Sequence, residues 1–225
     1  YNSTNTGLSI GSLPPSPGGA GSNHIAITCL AVNQEGVVAV GTRDGDAGQY
    51  GGVYTLNESE SLIWVDTALG NSDVRALAYS PGGSHLVAVA TNEADTIITS
   101  NVGGAGWGST LGDATINGLV PASASLAFPD DYAPDTAGTN ILYVALNASG
   151  NGDVYKITMA TGSSVATDLD IGSAYSLSSV DVTGLAISGE AASAKLMAGV
   201  ADSAQVYSSA DGGSHWTISS KRKRG

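Results

Sequence analysis

At 225 residues the chain is long enough for one large all-β domain or two small ones, with a real core. Thirty-one glycines and only 12% charged residues argue against long helices, which draw on Glu, Lys, Leu and Arg. The net charge is −12, and Arg43, Arg75, Lys156 and Lys195 are the only bases before the last five residues; such a body repels phosphate, so no nucleic-acid partner is expected. No run approaches the ~20 apolar residues of a membrane span, so no membrane insertion is expected either.

In chain order, residues 1–24 come first. They hold Pro14, Pro15 and Pro17-Gly18-Gly19 and read as a linker or extended arm, in which Thr6 to Ile10 could supply a strand. A repeat begins at about residue 25. Its first unit, 25–70, carries apolar runs at 27–32 and 37–42, a third strand at 52–56 and a fourth from Trp64. Cys29 lies inside the first run and reads as a small buried hydrophobe, since one thiol makes no internal disulfide. The second unit, 71–115, repeats the order with 74–79, 86–91, 96–100 and Trp107. The third, 116–175, has 124–128, 141–146 and 153–157, with a turn at Thr161-Gly162 and no Trp after it. The fourth, 176–220, has 182–187, 195–200, 205–209 and Trp216. Residues 221–225, Lys-Arg-Lys-Arg-Gly, form a basic tail that reads as a linker or a contact for an acidic surface.

Leu30, Leu77, Leu126 and Leu185 mark one phase of this repeat; the first two intervals, 47 and 49, match the ~40–50 residues of a four-stranded blade, and the third, 59, carries extra loop. The second strand of each unit is almost continuously apolar, as a strand buried on both faces reads. The expected fold is therefore an all-β β-propeller of about four blades, each of four antiparallel strands. Four blades leave open edges, which points to part of a larger propeller or a packed assembly.

Ser209-Ala210-Asp211-Gly212-Gly213-Ser214-His215-Trp216 fits S-x-D-x-G-x-x-W. The run resembles the Asp box, or BNR repeat, of sialidases, sortilin-type receptors and photosystem II assembly factors. The resemblance implies a structural role for Ser209, Asp211, Gly213 and Trp216. The carboxylate accepts backbone N–H groups across a tight turn, Gly permits positive φ, and the Trp ring pins the hairpin. Ser100, Gly104 and Trp107 keep the register of a degenerate box in which Val102 replaces the Asp. Phe128-Pro129-Asp130-Asp131-Tyr132-Ala133-Pro134-Asp135 resembles a loop of large secreted Asp-box proteins of bacteria, including surface-layer-type proteins.

Catalytic readings find little support in the residues. The sialidase resemblance would imply an arginine triad, and the body holds only Arg43 and Arg75. A glycosidase needs two carboxylates at a set separation; Asp44, Asp46, Asp130, Asp131 and Asp135 are available but read as solvated turn acids. His24, His85 and His215 are dispersed, without zinc spacing, and His85 and His215 read as surface residues. Asp44, Asp46, Asn151 and Asp153 are weak candidate oxygen ligands for a cation, but Asn151-Gly152 reads first as a hairpin turn and the acids are too few for an EF-hand-like loop. Asn2-Ser3-Thr4, Asn57-Glu58-Ser59 and Asn147-Ala148-Ser149 match the N-glycosylation sequon.

The expectation is a non-catalytic, exported propeller without a cofactor, at the cell surface, serving as a structural or protein-interaction scaffold. Its expected partners are copies of itself or the rest of a longer polypeptide. A glycan-binding or receptor-like propeller is the alternative, and a glycoside hydrolase-type enzyme stands third.

Overall fold

A computed structural model describes residues 17, 24–57, 59, 63–92, 95–102, 106–108, 111, 115–116, 118–159, 164–201 and 203–220. The arm expected over 1–24, apart from Pro17 and His24, and the basic tail lie outside them.

Among the described residues there is no α-helix, and four antiparallel sheets follow one another along the chain. Strands β1 (Ala26–Val32), β2 (Val38–Arg43), β3 (Val53–Leu56) and β4 (Val65–Asp66) form the first. The second holds β5 (Asp73–Tyr79), β6 (His85–Thr91) and β7 (Thr96–Val102). There Trp107 makes a lone bridge to Asn101 where a fourth strand runs in the others. Strands β8 (Ser123–Ala127), β9 (Ile141–Asn147), β10 (Val154–Thr158) and β11 (Val165–Asp168) form the third. The fourth holds β12 (Val182–Ser188), β13 (Lys195–Val200), β14 (Gln205–Ser209) and β15 (Thr217–Ser220). Each strand pairs with its neighbour in sequence, as in the blades of a propeller.

Burial explains the apolar runs. Strand β6 is buried along its whole length, and β9 along all but its last residue. Side chains alternate between faces. Leu86 and Ala88 therefore pack towards the first sheet, and Val87 and Val89 towards the third. In β9, Leu142, Val144 and Leu146 pack towards the second sheet, and Ile141, Tyr143 and Ala145 towards the fourth. In the fourth sheet β13 buries Leu196 and Ala198 but exposes Lys195 and Met197, on the face that no other described sheet covers.

The first strands carry the same logic in a two-residue repeat: Leu30-Ala31, Leu77-Ala78, Leu126-Ala127 and Leu185-Ala186. Leu77, Leu126 and Leu185 each pack towards the preceding sheet. Ala31 and Ala78 face the following one, where a small side chain lets the next inner strand approach. Strand β1 packs on β5, β5 on β8 and β8 on β12, while β12 makes no comparable contact with β1 among the described residues. The four blades thus form an open arc. Leu30, with no described blade before it, is 64% exposed, whereas Leu77 at the same phase is 8% exposed.

Three first strands share a register shift, between Ile27 and Cys29, Val74 and Ala76, and Val182 and Gly184. The bulged residues are Thr28, Arg75 and Thr183. Bulges strengthen local twist and re-aim a side chain. The Thr28 hydroxyl donates to the carbonyl oxygens of Gly41, at 3.1 Å, and Val74, at 2.7 Å, tying the first blade to the second. Close approach there explains Gly41, where a Cβ would lie 2.5 Å from the Cys29 Sγ and 2.6 Å from Val74 Cγ1. Cys29 is half-buried against this interface, and burial raises its thiol pKa.

His85 corrects the sequence reading. It opens β6 rather than a turn, is buried, and meets the Tyr132 ring edge-on at 6.1 Å. Burial lowers its pKa.

The repeated leucine gives a direct check. Leu77→Ala should cost about 2–4 kcal/mol by leaving a cavity between blades. Leu30→Ala, at the same phase but open to solvent, should change stability by less than about 0.5 kcal/mol. Urea unfolding of both variants decides; equal losses would disprove the open arc.

Candidate functional site

The β2–β3 turn of each blade and the connection into the next first strand lie at one end of the arc, where most of the predicted metal and acid residues gather. Asp73, at the start of β5, accepts the backbone N–H groups of Asp44, at 2.9 Å, and Gly51, at 3.0 Å. Asp181, just before β12, accepts those of Ala148, Gly150 and Gly152, at 2.9, 2.7 and 3.1 Å. Both acids stand four residues before the marker leucine of their blade. Each uses its charge to close a loop of the blade before it, a strong use of an ionised acceptor. Gly152 is required by this contact, since a Cβ there would lie 2.5 Å from Asp181 Oδ1.

These two acids carry no signal within their own blade. Their donors lie 22 to 33 residues earlier in the chain, so only the repeated phase of Asp73 and Asp181 could have revealed them.

The candidate cation ligands fall in these same loops but do not converge. Asp44 Oδ1 accepts the Asp46 backbone N–H at 2.9 Å, and Asp46 meets His24 Nδ1 at 2.7 Å, a bond that raises the His24 pKa. Asn151 sits in the turn before β10, its backbone N–H bonded to the Ala148 carbonyl. Among the described residues no three His, Cys, Asp or Glu side chains are grouped to hold a metal. The 148–152 loop points N–H groups at a carboxylate, the polarity an anion selects.

Asp153 is the most perturbed acid. It is 2% exposed, and its Oδ1 accepts the backbone N–H groups of Val154, at 2.7 Å, and Ile171, at 3.2 Å. Burial, helped by the nearby Asp168 and Asp170 charges, pushes its pKa to about 7. A carboxyl near neutrality suits proton transfer; both of these bonds go to backbone.

Arg75 is the one bulged residue that is not threonine. Its Nη2 stands 3.9 Å from Asp73 Oδ2, and its Nε is buried without a partner. Desolvation lowers its pKa, with repulsion from Arg43 adding to the effect.

The opposite end carries the β1–β2 and β3–β4 type turns. Asp130 and Gly189 exchange two bonds, each 3.0 Å: the Asp130 backbone N–H to the Gly189 carbonyl, and the Gly189 N–H to Asp130 Oδ2. Asp131 Oδ1 accepts the Ala191 N–H at 2.7 Å. The loop read as a bacterial surface-protein feature is thus a clamp between the third and fourth blades. Phe128 and Tyr132 brace it edge to face at 4.6 Å.

Ser209, Asp211, Gly213 and Trp216 are brought together in one turn. The Ser209 hydroxyl donates to Asp211 Oδ1 at 2.8 Å and accepts the Gly213 N–H at 2.9 Å. Asp211 Oδ1 accepts the His215 N–H at 3.0 Å, and Oδ2 meets His215 Nδ1 at 2.7 Å. The His215 side chain, then its backbone N–H and the Ser209 hydroxyl, hold the exposed Asp211 carboxyl at about 2. Gly212 and Gly213 both take positive φ. Trp216 is buried in the core between the third and fourth blades. The hairpin tip is tied inward, Gly212 accepting from the Tyr143 hydroxyl at 3.2 Å and donating to the Ala194 carbonyl at 2.9 Å. Of the degenerate box, Ser100 is buried in β7 and the Trp107 Nε1 donates to the Thr67 hydroxyl at 3.1 Å, while Gly104 lies outside the described residues.

Every acid cluster described thus closes or clamps backbone. No family model and no curated protein matches the sequence. Solved β-propellers match the structure. The GH74 xyloglucanase of Xanthomonas campestris aligns at TM-score 0.54 and 15% identity, over 84% of this chain and 29% of its own. The GH74 enzyme of Niastella koreensis aligns at 0.50 and 18%, over 85% and 29%. YCF48 of Cyanidioschyzon merolae aligns at 0.56 and 11%, over 90% and 58%. The fold is that of a β-propeller. The chain spans less than a third of the two hydrolases and just over half of YCF48.

These matches correct one expectation. The chain was read as non-catalytic from its scarce cations and scattered histidines. Two of the matched structures are glycoside hydrolases, so that composition argument does not separate this fold from enzymes. At these identities the likeness shows fold alone. No helix among the described residues is long and apolar enough to cross a membrane.

Asp153 yields a pH prediction. Burial favours its protonated form, so its contribution is full below the unfolded carboxylate pKa of about 3.9 and is lost as pH rises towards about 7. Asp153→Asn keeps the Oδ1 acceptor without the ionisation. Its Tm relative to the parent chain should rise between about pH 4 and 7 and level off above that. Thermal melts across this range test it; a difference independent of pH would contradict the buried ionisation.

Proposed function

We propose that this chain is a segment of a larger propeller in an exported cell-surface protein, where it acts as a structural and protein-interaction scaffold. Further blades, from other copies or from the rest of a longer polypeptide, cover its two open faces. The observation that carries this reading is Leu30. At the phase where Leu77, Leu126 and Leu185 pack on a preceding blade, Leu30 is 64% exposed, with Val32 beside it at 61%. Large apolar side chains exposed in a row on a strand mark a contact surface. At the other end Met197 is 56% exposed, where Tyr143 and Val87 at the matching register are fully buried.

The exported, surface-layer-like part of the reading is supported by the Asp-box-like turn at 209–216, the Asp130–Asp131 clamp and the single cysteine. An acidic body with few lysines fits a surface that repels like neighbours except where apolar faces meet.

Light scattering on the purified chain tests the proposal. The particle should be larger than one 22.3 kDa chain and grow with concentration. Leu30→Asp, which leaves the blade cores untouched, should return it to a monomer. A parent chain that stays monomeric at about 100 μM would overturn other copies of the chain as the source of the covering blades.

A further inference from the structure

Between the first and second blades, at the end carrying the β1–β2 turn, a cleft of about 280 Å³ opens. It exists because this interface is thin. Six described residues form its buried core, against fifteen and thirteen at the other two. The first blade presents Thr55 there, and its outer strand β4 is only two residues long. Where the third blade packs Phe128 and Tyr132 against the second, the second sets Tyr79 against a gap.

The fold uses some of the polar groups in the cleft, the Thr67 hydroxyl donating to the Val53 carbonyl at 2.7 Å and Ser84 meeting His85 Nδ1 at 3.0 Å, and leaves others unspent. Asn101 is 7% exposed, and its side-chain oxygen is buried with no hydrogen-bond partner. Leaving such an acceptor unmet is costly, and it calls for a donor that no described residue supplies. The Tyr79 and Thr55 hydroxyls make no hydrogen bond to another described residue. Asn33 spends its side-chain oxygen on the Glu35 and Val37 N–H groups, at 3.0 and 2.8 Å, and so presents its amide hydrogens. Leu86 and the Tyr79 ring supply apolar wall. Burial raises the Tyr79 pKa and keeps its hydroxyl a donor.

The charge in the cleft narrows the ligand class. Among the described residues Glu35 at the exposed rim is the cleft's only carboxylate, and no cation lines it. An anion would meet repulsion without compensation, and an apolar ligand would leave Asn101 unmet. The volume, near the lower end of small-molecule pockets, suits one ring. We propose that this cleft binds a neutral sugar unit, one of whose hydroxyls donates to the Asn101 side-chain oxygen while Tyr79 and Asn33 donate to its oxygens. The site lies on neither open blade face, so it stands or falls separately from the scaffold reading.

The test is an NMR titration of the ¹⁵N-labelled chain with methyl α-D-glucopyranoside and methyl β-D-xylopyranoside, with sodium D-glucuronate as the charged control. A saturable shift of the Asn101 side-chain amide and the Tyr79 backbone is expected with one neutral glycoside, at a Kd of about 1–10 mM. Glucuronate should shift neither. Asn101→Leu, close in size, should weaken binding at least about tenfold, and Tyr79→Phe by about threefold. No saturable shift up to about 100 mM glycoside would mean that ordered water alone fills the cleft, and would overturn the proposal. Equal shifts with glucuronate, or unchanged binding by Asn101→Leu with a raised Tm, would overturn it too. If Asn101→Leu does not fold, the titration of the parent chain and Tyr79→Phe decide.

Discussion

The packing of each sheet's leucine-bearing face on the alanine-bearing face of the sheet before it holds this arc together. A lone sheet of short strands is not stable in water, because one face at most would be buried. Stacking buries both faces of the inner sheets, and β6 and β9 become core throughout. The Leu-Ala alternation sets the direction. Leucine reaches back across the interface, and alanine leaves room for the next inner strand. Without that asymmetry the inner strands could not approach as closely along the chain order seen here.

Polar groups then lock what packing brings near. Asp73, Asp181, Asp130 and Asp131 each accept backbone N–H groups from another blade. Among the described residues these four acids are satisfied by backbone donors rather than by an ion-pair network, which suits a chain with few cations. The cleft at the first interface differs, because there packing is thin and Asn101 and Tyr79 are left without partners.

Much of the fold was legible in the sequence because its signals are local. The recurring apolar runs and the four marker leucines located the four units, and the almost continuously apolar second strands announced burial on both faces. The Asp211 turn was legible for the same reason, since its donors lie within four residues. The Asp73 and Asp181 contacts were not, because their partners are remote in sequence. His85 was misread because its burial comes from Tyr132 on the next blade. The inference against an enzyme failed for a different reason: composition reports the supply of reactive groups and says nothing of the fold's use in matched hydrolases.

The sequence by itself determined the strand order, the repeat phase and which strands would be buried on both sides, because alternation and period are properties of the chain. Only the tertiary structure decided which face met which neighbour, where the arc stays open, which carboxylates close loops and where a cleft remains. Those outcomes depend on residues brought together from different blades, and no local pattern records the gap left when two short side chains, Thr55 and Thr67, stand opposite Tyr79.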